Sequence, residues 1–166
     1  GEGTSFCFIG KMDAKVCAST ALLVIVKAVG TMPVALGGTD ELKEKVLVRL
    51  AKEKGLICFC LTEPDSGSDA ASVRTKAVLK DDHYVINGRK CFISNGGVSE
   101  FYTVFARSDS AKKMEGISAF MVERKSQGLS IGKTEDKMGI RGCNTTEVIF
   151  EDVKVPKDQR IGGEGE

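Results

Sequence analysis

The spacing of apolar residues changes near residue 54 and divides the chain into two patterns. From Asp13 to Val29 the chain is rich in Ala, Leu, Val and Ile with little polar interruption. That run predicts a helix buried on most sides, although its many β-branched residues also allow a buried strand. Gly30 and Pro33 are the expected stop. Thr39 is a candidate N-cap for a second helix, with Asp40 and Glu41 in the first turn, where the helix dipole favours carboxylates. Leu42, Val46 and Leu50 continue at helical spacing, and Gly55 follows as a stop.

Beyond residue 55 the period falls to two. Leu56 to Thr62 is the first predicted strand. Val73, Thr75, Ala77 and Leu79 then alternate with Arg74, Lys76 and Lys80, the mark of a half-buried strand. Asp81-Asp82 makes a turn, and Asn87-Gly88 between His83–Ile86 and Arg89–Ser94 predicts a hairpin. Asn95-Gly96-Gly97 breaks the next run. Phe101–Arg107, Ile117–Glu123, Leu129–Lys133 and Thr145–Val155 are further strands. The predicted fold class is mainly β, an antiparallel barrel or sandwich preceded by two α-helices. The helical stretch is too short to bury its own apolar faces, and Ile161–Glu166 is a glycine-rich tail. Both features predict a piece of a larger protein, with a small complete domain as the alternative.

At 166 residues the chain is long enough for one domain with a real core. Its 24 basic and 23 acidic residues leave a net charge of +1, which gives no electrostatic reason to propose nucleic acid or a membrane surface as partner. Trp is absent, so no stacking platform for single strands is expected. The clearest apolar run, Ala21–Val26, is broken by Lys27 and is too short to span a bilayer. The six cysteines include no C-x-x-C pair and His83 is the single histidine, which argues against a zinc site. Cys58 and Cys60 lie two apart on a predicted strand and share a face. Most of the cysteines sit in apolar contexts and read as small buried hydrophobes, and a reducing, intracellular compartment is expected.

The richest chemistry follows the first strand, in Cys60-Leu61-Thr62-Glu63-Pro64-Asp65-Ser66-Gly67-Ser68-Asp69. Pro, Asp, Ser and Gly are ordinary turn residues, but such a loop at a sheet edge also exposes N–H groups and hydroxyls to a flat polar ligand. The stretch CLTEPDSGSDAAS, Cys60 to Ser72, resembles the first signature of the acyl-CoA dehydrogenase family. INGRKCFISNGG, Ile86 to Gly97, resembles the family's second flavin-contacting strand. Gly116 to Gly142 resembles the central domain of the short-chain and branched-chain members, and FEDVKVP, Phe150 to Pro156, the exit from that domain. Cys17–Thr20 and the helix after Thr39 resemble the end of the N-terminal helical domain.

The resemblance implies residues 1–54 from a helical domain, 55–160 as the middle β-domain, and 161–166 as a linker to a missing C-terminal helical bundle. It implies FAD as cofactor, acyl-CoA as substrate, an α,β double bond as product, an electron-transfer flavoprotein as electron acceptor, and a homotetramer for the full-length protein. The compartment would be the cytoplasm in a bacterium and the mitochondrial matrix in a eukaryote. The flavin's polar edge falls to Phe59, Cys60, Leu61, Thr62, Gly67 and Ser68, and its ring to Phe92, Ile93 and Ser94. Ser68 also aligns with a contact to acyl-CoA, and Phe92 stands where the family usually has Trp.

The family's proton-abstracting base lies in the missing bundle, so the chain alone is expected to be inactive. Glu63 and Asp69 are expected as loop-fixing carboxylates that cap N–H groups. Arg141 is expected to meet a CoA phosphate or to pair with Glu135 or Asp152. Lys112 and Lys113 lie in a loop near the family's CoA site, His83 is expected in an exposed turn, and Met138 as core filler. The rival readings are a stand-alone ligand- or partner-binding β-domain and a flavin oxidase or monooxygenase of the same fold.

Overall fold

The computed structural model describes residues 2–108 and 116–163, with side chains from Cys7 onward. Lys112 and Lys113 lie outside the described residues. Two helices come first, α1 (Glu2–Val16) and α2 (Ala18–Gly37). They are divided at Cys17, whose extended backbone makes it the N-cap of α2. The expected stop at Gly30 and Pro33 does not occur: α2 runs through both. Tertiary contact overrides the local signal here. A Cβ at Gly30 would sit 3.1 Å from Ile57 Cγ2, and the Gly30 carbonyl accepts from Thr103 Oγ1 at 2.7 Å. Glycine is the residue that lets this helix lie against the sheet. At 20 residues, α2 is also long and apolar enough to cross a membrane, contrary to the expectation from the shorter run. Its packing on the sheet through Gly30 and Val34 accounts for its buried face.

The second expected helix is present. Thr39 Oγ1 accepts from Leu42 N at 3.2 Å, capping α3 (Asp40–Lys43). A π-helical turn, Glu44–Val48, leads into α4 (Arg49–Lys52). Leu42, Val46 and Leu50 recur at four-residue spacing, so all three reach the same core.

Eight strands follow: β1 (Ile57–Cys60), β2 (Lys76–Lys80), β3 (His83–Ser94), β4 (Phe101–Arg107), β5 (Ile117–Glu123), β6 (Leu129–Thr134), β7 (Thr145–Pro156) and β8 (Arg160–Ile161). They form one sheet in the order β6-β7-β3-β2-β4-β5-β8, with β1 paired to β4. The pairing is mostly antiparallel, but β1 runs parallel to β4, and Lys76 of β2 pairs in parallel with Arg107. A parallel pair needs a long connection, and the loop plus the β2–β3 hairpin supplies it. The Tyr84 and Phe120 rings, from β3 and β5, lie 4.8 Å apart, so the sheet curls back on itself.

Period-two alternation gives the sheet two apolar faces. Cys58, Cys60, Ile86, Ile93, Tyr102, Val104, Phe120 and Val148 fill the inner core. Ile57, Phe101 and Met121 face the other way and meet Val34, Leu42, Val46 and Leu50 from the helices. Cys58 and Cys60 do share a face, with sulfurs 3.6 Å apart and both thiols free.

Asn87-Gly88 does not turn a hairpin. β3 is continuous through it, and the β3–β7 register slips between Ile86 and Gly88. Asn87 and Asp152 clamp this bulge: Asn87 Nδ2 donates to Asp152 Oδ1 at 3.0 Å, and Asp152 N donates to Asn87 Oδ1 at 2.9 Å. The true hairpin turn is Asp81-Asp82, between paired Lys80 and His83. Glycine is needed at 88 because a Cβ there would lie 2.4 Å from Thr75 Oγ1 and 2.7 Å from Thr75 Cβ. Gly88→Ala is therefore expected to lower unfolding free energy by about 1–3 kcal/mol, the usual range for overpacking, as read by urea denaturation.

Candidate functional site

The chain leaves β1 at Cys60 and closes a tight turn at once. Glu63 N donates to Ser66 O at 2.8 Å and Ser66 N to Glu63 O at 3.2 Å, with Pro64 and Asp65 at the tip. The Ser66 hydroxyl donates to the Asp69 carbonyl at 2.7 Å. Asp69 fixes the loop through a hydroxyl rather than the expected N–H: its carboxylate takes the Ser72 hydroxyl. Glu63 does fix the loop as expected. Although 6 % exposed, it accepts from Arg74 N at 2.7 Å, Thr75 N at 2.9 Å and Lys90 Nζ at 2.7 Å.

Lys90 is wholly buried, and its ammonium also donates to Leu61 O at 3.0 Å. Burial lowers the Lys90 pKa against the support of the Glu63 carboxylate. Burial works to raise the Glu63 carboxyl, but the Lys90 ammonium and the loop donors outweigh it and hold it below its usual value.

A second irregularity lies opposite this loop. Lys90 pairs with Val148 and Ile93 with Thr146, so β3 carries one extra residue in between. This is a β-bulge, a device that re-aims side chains. Cys91 N donates to Thr62 O at 3.0 Å, and Phe92 adopts φ +56, the residue as a whole 64 % exposed. A bulky residue in the left-handed region is an outlier that the surrounding structure must hold in place.

Phe59, Phe92 and Ser94 meet Ile25, Val26 and Val29 of α2 around a cavity of about 180 Å³. The segments around Phe59 and Phe92, far apart in sequence, thus share one wall, and the Thr62 carbonyl is tied to the bulge beside it. The Leu61 carbonyl turns instead to the buried Lys90 ammonium. Cys60 and Ile93 point into the inner core, so only their backbone faces outward. Gly67 and Ser68 stand on the exposed part of the loop. The α2 residues are a wall that the sequence reading did not include; their signal is the i, i+4 spacing of Ile25 and Val29. Lys90 also lies outside the expected site; next to Arg89 in the strand, it has no sequence signal that sets it apart.

Other expectations change. Among the described residues Arg141 pairs with neither Glu135 nor Asp152; its Nε donates to Lys137 O at 2.8 Å. Met138 is fully exposed on that loop and fills no core. His83 is half-buried at the start of β3, 3.0 Å from Asp82.

The cavity has apolar walls and a hydroxyl at its edge, which suits one edge of a flat ring with polar atoms on its rim. It is smaller than the roughly 300–1,000 Å³ of whole-ligand pockets, so it takes part of such a ring. Residues 58–153 match the family described as the acyl-CoA dehydrogenase middle domain. The chain is 46% identical over 163 residues to the cyclohex-1-ene-1-carbonyl-CoA dehydrogenase of Syntrophus aciditrophicus, covering 98% of this chain and 39% of that protein.

Butyryl-CoA dehydrogenase from Megasphaera elsdenii superposes with a TM-score of 0.85 at 42% identity, over 89% of this chain and 39% of that one. An acyl-CoA dehydrogenase from Bacillus anthracis, complexed with FAD, does so with a TM-score of 0.81 at 37% identity, over 89% and 25%. The chain belongs to the acyl-CoA dehydrogenase family. It spans about two fifths of the length of the relative from Syntrophus.

Two outcomes follow from this geometry. Phe92→Gly gives up little burial and relieves the left-handed backbone, so stability is expected to rise by up to about 1 kcal/mol; a lower urea midpoint would contradict stored strain. For Glu63, a folded pKa below the unfolded value of about 4.3 means its stabilisation is present above that value. It is lost as pH falls through the lower folded value. An NMR titration of the Glu63 carboxyl should show a midpoint below the ordinary one.

Proposed function

We propose that this chain forms the flavin-facing β portion of an FAD-dependent acyl-CoA dehydrogenase, which introduces an α,β double bond into a short- or branched-chain acyl-CoA. The observation that supports this best is the shared cavity: Phe59, Phe92 and Ser94 line one wall, and Thr62 is tied to the bulge beside them. FAD, when bound, supplies the hydride acceptor. Phe59 and Phe92 offer apolar surface to the ring and exclude water from it. The Ser94 hydroxyl, which lines the cavity, would donate to a ring nitrogen. Thr62, with the backbone of Cys60, Leu61, Gly67 and Ser68, serves the ring's polar edge, and Ile93 serves through its backbone. Ser68, exposed on the loop, is the contact proposed for acyl-CoA.

The activity is proposed for the polypeptide that joins this stretch to the remaining length of its relatives. Residues 1–54 are assigned to the helical domain and 55–160 to the β-domain; the linker expected at 161–166 can begin only after Ile161, which is paired with Ala119 in β8 and buried in the core. An electron-transfer flavoprotein is the proposed electron acceptor, the assembly a homotetramer, and the compartment a reducing, intracellular one. The acids nearest the loop, Glu63 and Asp69, are committed to holding it, so neither is assigned as the α-proton base.

The test is a titration of FAD into the purified chain, read by flavin fluorescence. Weak but saturable quenching is expected, and Phe92→Ala should weaken it about fivefold, the worth of about 1 kcal/mol of aromatic contact. Absence of saturable quenching would overturn the reading. The 166-residue stretch should not turn over butyryl-CoA by itself.

A further inference from the structure

Lys90 presents a chemical puzzle. A buried ion pair is a weak device for stability, since apolar residues of similar size pack as well without desolvating two charges. Yet Lys90 and Glu63 are buried together in the strand and loop that flank the cavity. What the ammonium does is specific. It donates to Leu61 O at 3.0 Å and to Glu63 Oε1 at 2.7 Å. Glu63 in turn holds the N–H groups of Arg74 and Thr75, at the far end of the same loop. One cation therefore grips the loop where it leaves β1 and, through one carboxylate, where it returns to β2.

The first grip has a directional result. The Leu61 carbonyl and the Thr62 N–H belong to one planar trans peptide, so they point in opposite directions. Holding the carbonyl on Lys90 aims the Thr62 N–H away from the ammonium. The next residue of β3 completes the hold, since Cys91 N bonds Thr62 O at 3.0 Å. The peptide planes on both sides of Thr62 are thus set by consecutive residues of the strand that also carries Phe92 and Ser94.

We propose that Lys90 is a positioning residue for the flavin site: its buried ammonium sets the orientation of the Thr62 peptide against the Phe92–Ser94 edge, with Glu63 as the partner that keeps it charged and in place. The proposal rests on the flavin reading above. A purely structural pair would matter only because removing one partner strands the other charge. A positioning pair matters even when both charges are gone.

The experiment compares wild type, Lys90→Met, and the double variant Glu63→Gln with Lys90→Met. Urea denaturation gives stability; FAD fluorescence quenching and the shape of the bound flavin's visible absorption band report the site. Lys90→Met should be strongly destabilised, and the double variant should recover much of that loss because no buried charge remains unpaired. The proposal expects the recovered double variant still to bind FAD about tenfold more weakly than wild type, the size of one charge-assisted hydrogen bond, with an altered band shape. Recovery of wild-type affinity and band shape in the double variant would show a structural pair only and overturn the proposal. If wild type itself gives no saturable quenching, the flavin reading falls first and the proposal with it. If Lys90→Met does not fold, the double variant alone decides.

Discussion

The candidate site depends on a contact between the loop after β1 and two neighbouring residues of β3. The carbonyls of Leu61 and Thr62 are taken by Lys90 Nζ and Cys91 N, two neighbours on β3. The bonds of Glu63, Ser66 and Asp69 hold the loop's own shape; this contact is what fixes it to β3. With it, the loop becomes an extension of the sheet. The helix α2 then needs only to lie across Phe59 and Phe92 to enclose a cavity.

The same strand shows how a sheet gives up regular pairing for particular ends. β3 has two interruptions in its ladder with β7. At the first, Gly88 clears space for Thr75, and Asn87 and Asp152 replace the lost ladder contacts with side-chain bonds. At the second, the Cys91 amide goes to the loop and Phe92 is held in a left-handed backbone. The first bulge repairs itself locally. The second leaves Phe92 exposed, which is the arrangement expected of a surface made for something else to cover.

Much of the β architecture was legible in the sequence: β7 alternates from Glu147 to Val155, while β4 and β5, buried on both faces, read as short apolar runs bounded by turn residues. The capping of the second helix was legible from Thr39 and the acids behind it. Three features were not. Asn87-Gly88 carries a strong hairpin signal, but its meaning depends on Asp152, which is 65 positions away. The passage of α2 through Gly30 and Pro33 depends on how closely a helix approaches Ile57. The parallel pairing of β1 depends on a connection whose course local pattern does not specify. At the site, motif resemblance singled out Phe59, Thr62, Phe92 and Ser94, while the charge that sits beneath them was invisible because a lysine in a strand ordinarily reads as solvent-facing.

Pro33 has one more effect on α2. In a regular helix its amide would bond the carbonyl of Val29, four residues back, and proline has no amide hydrogen to give. Val29 is one of the residues around the cavity. The helix therefore passes Val29 with one backbone hydrogen bond fewer, and its course there rests on the packing of Gly30 and Val34 against the sheet.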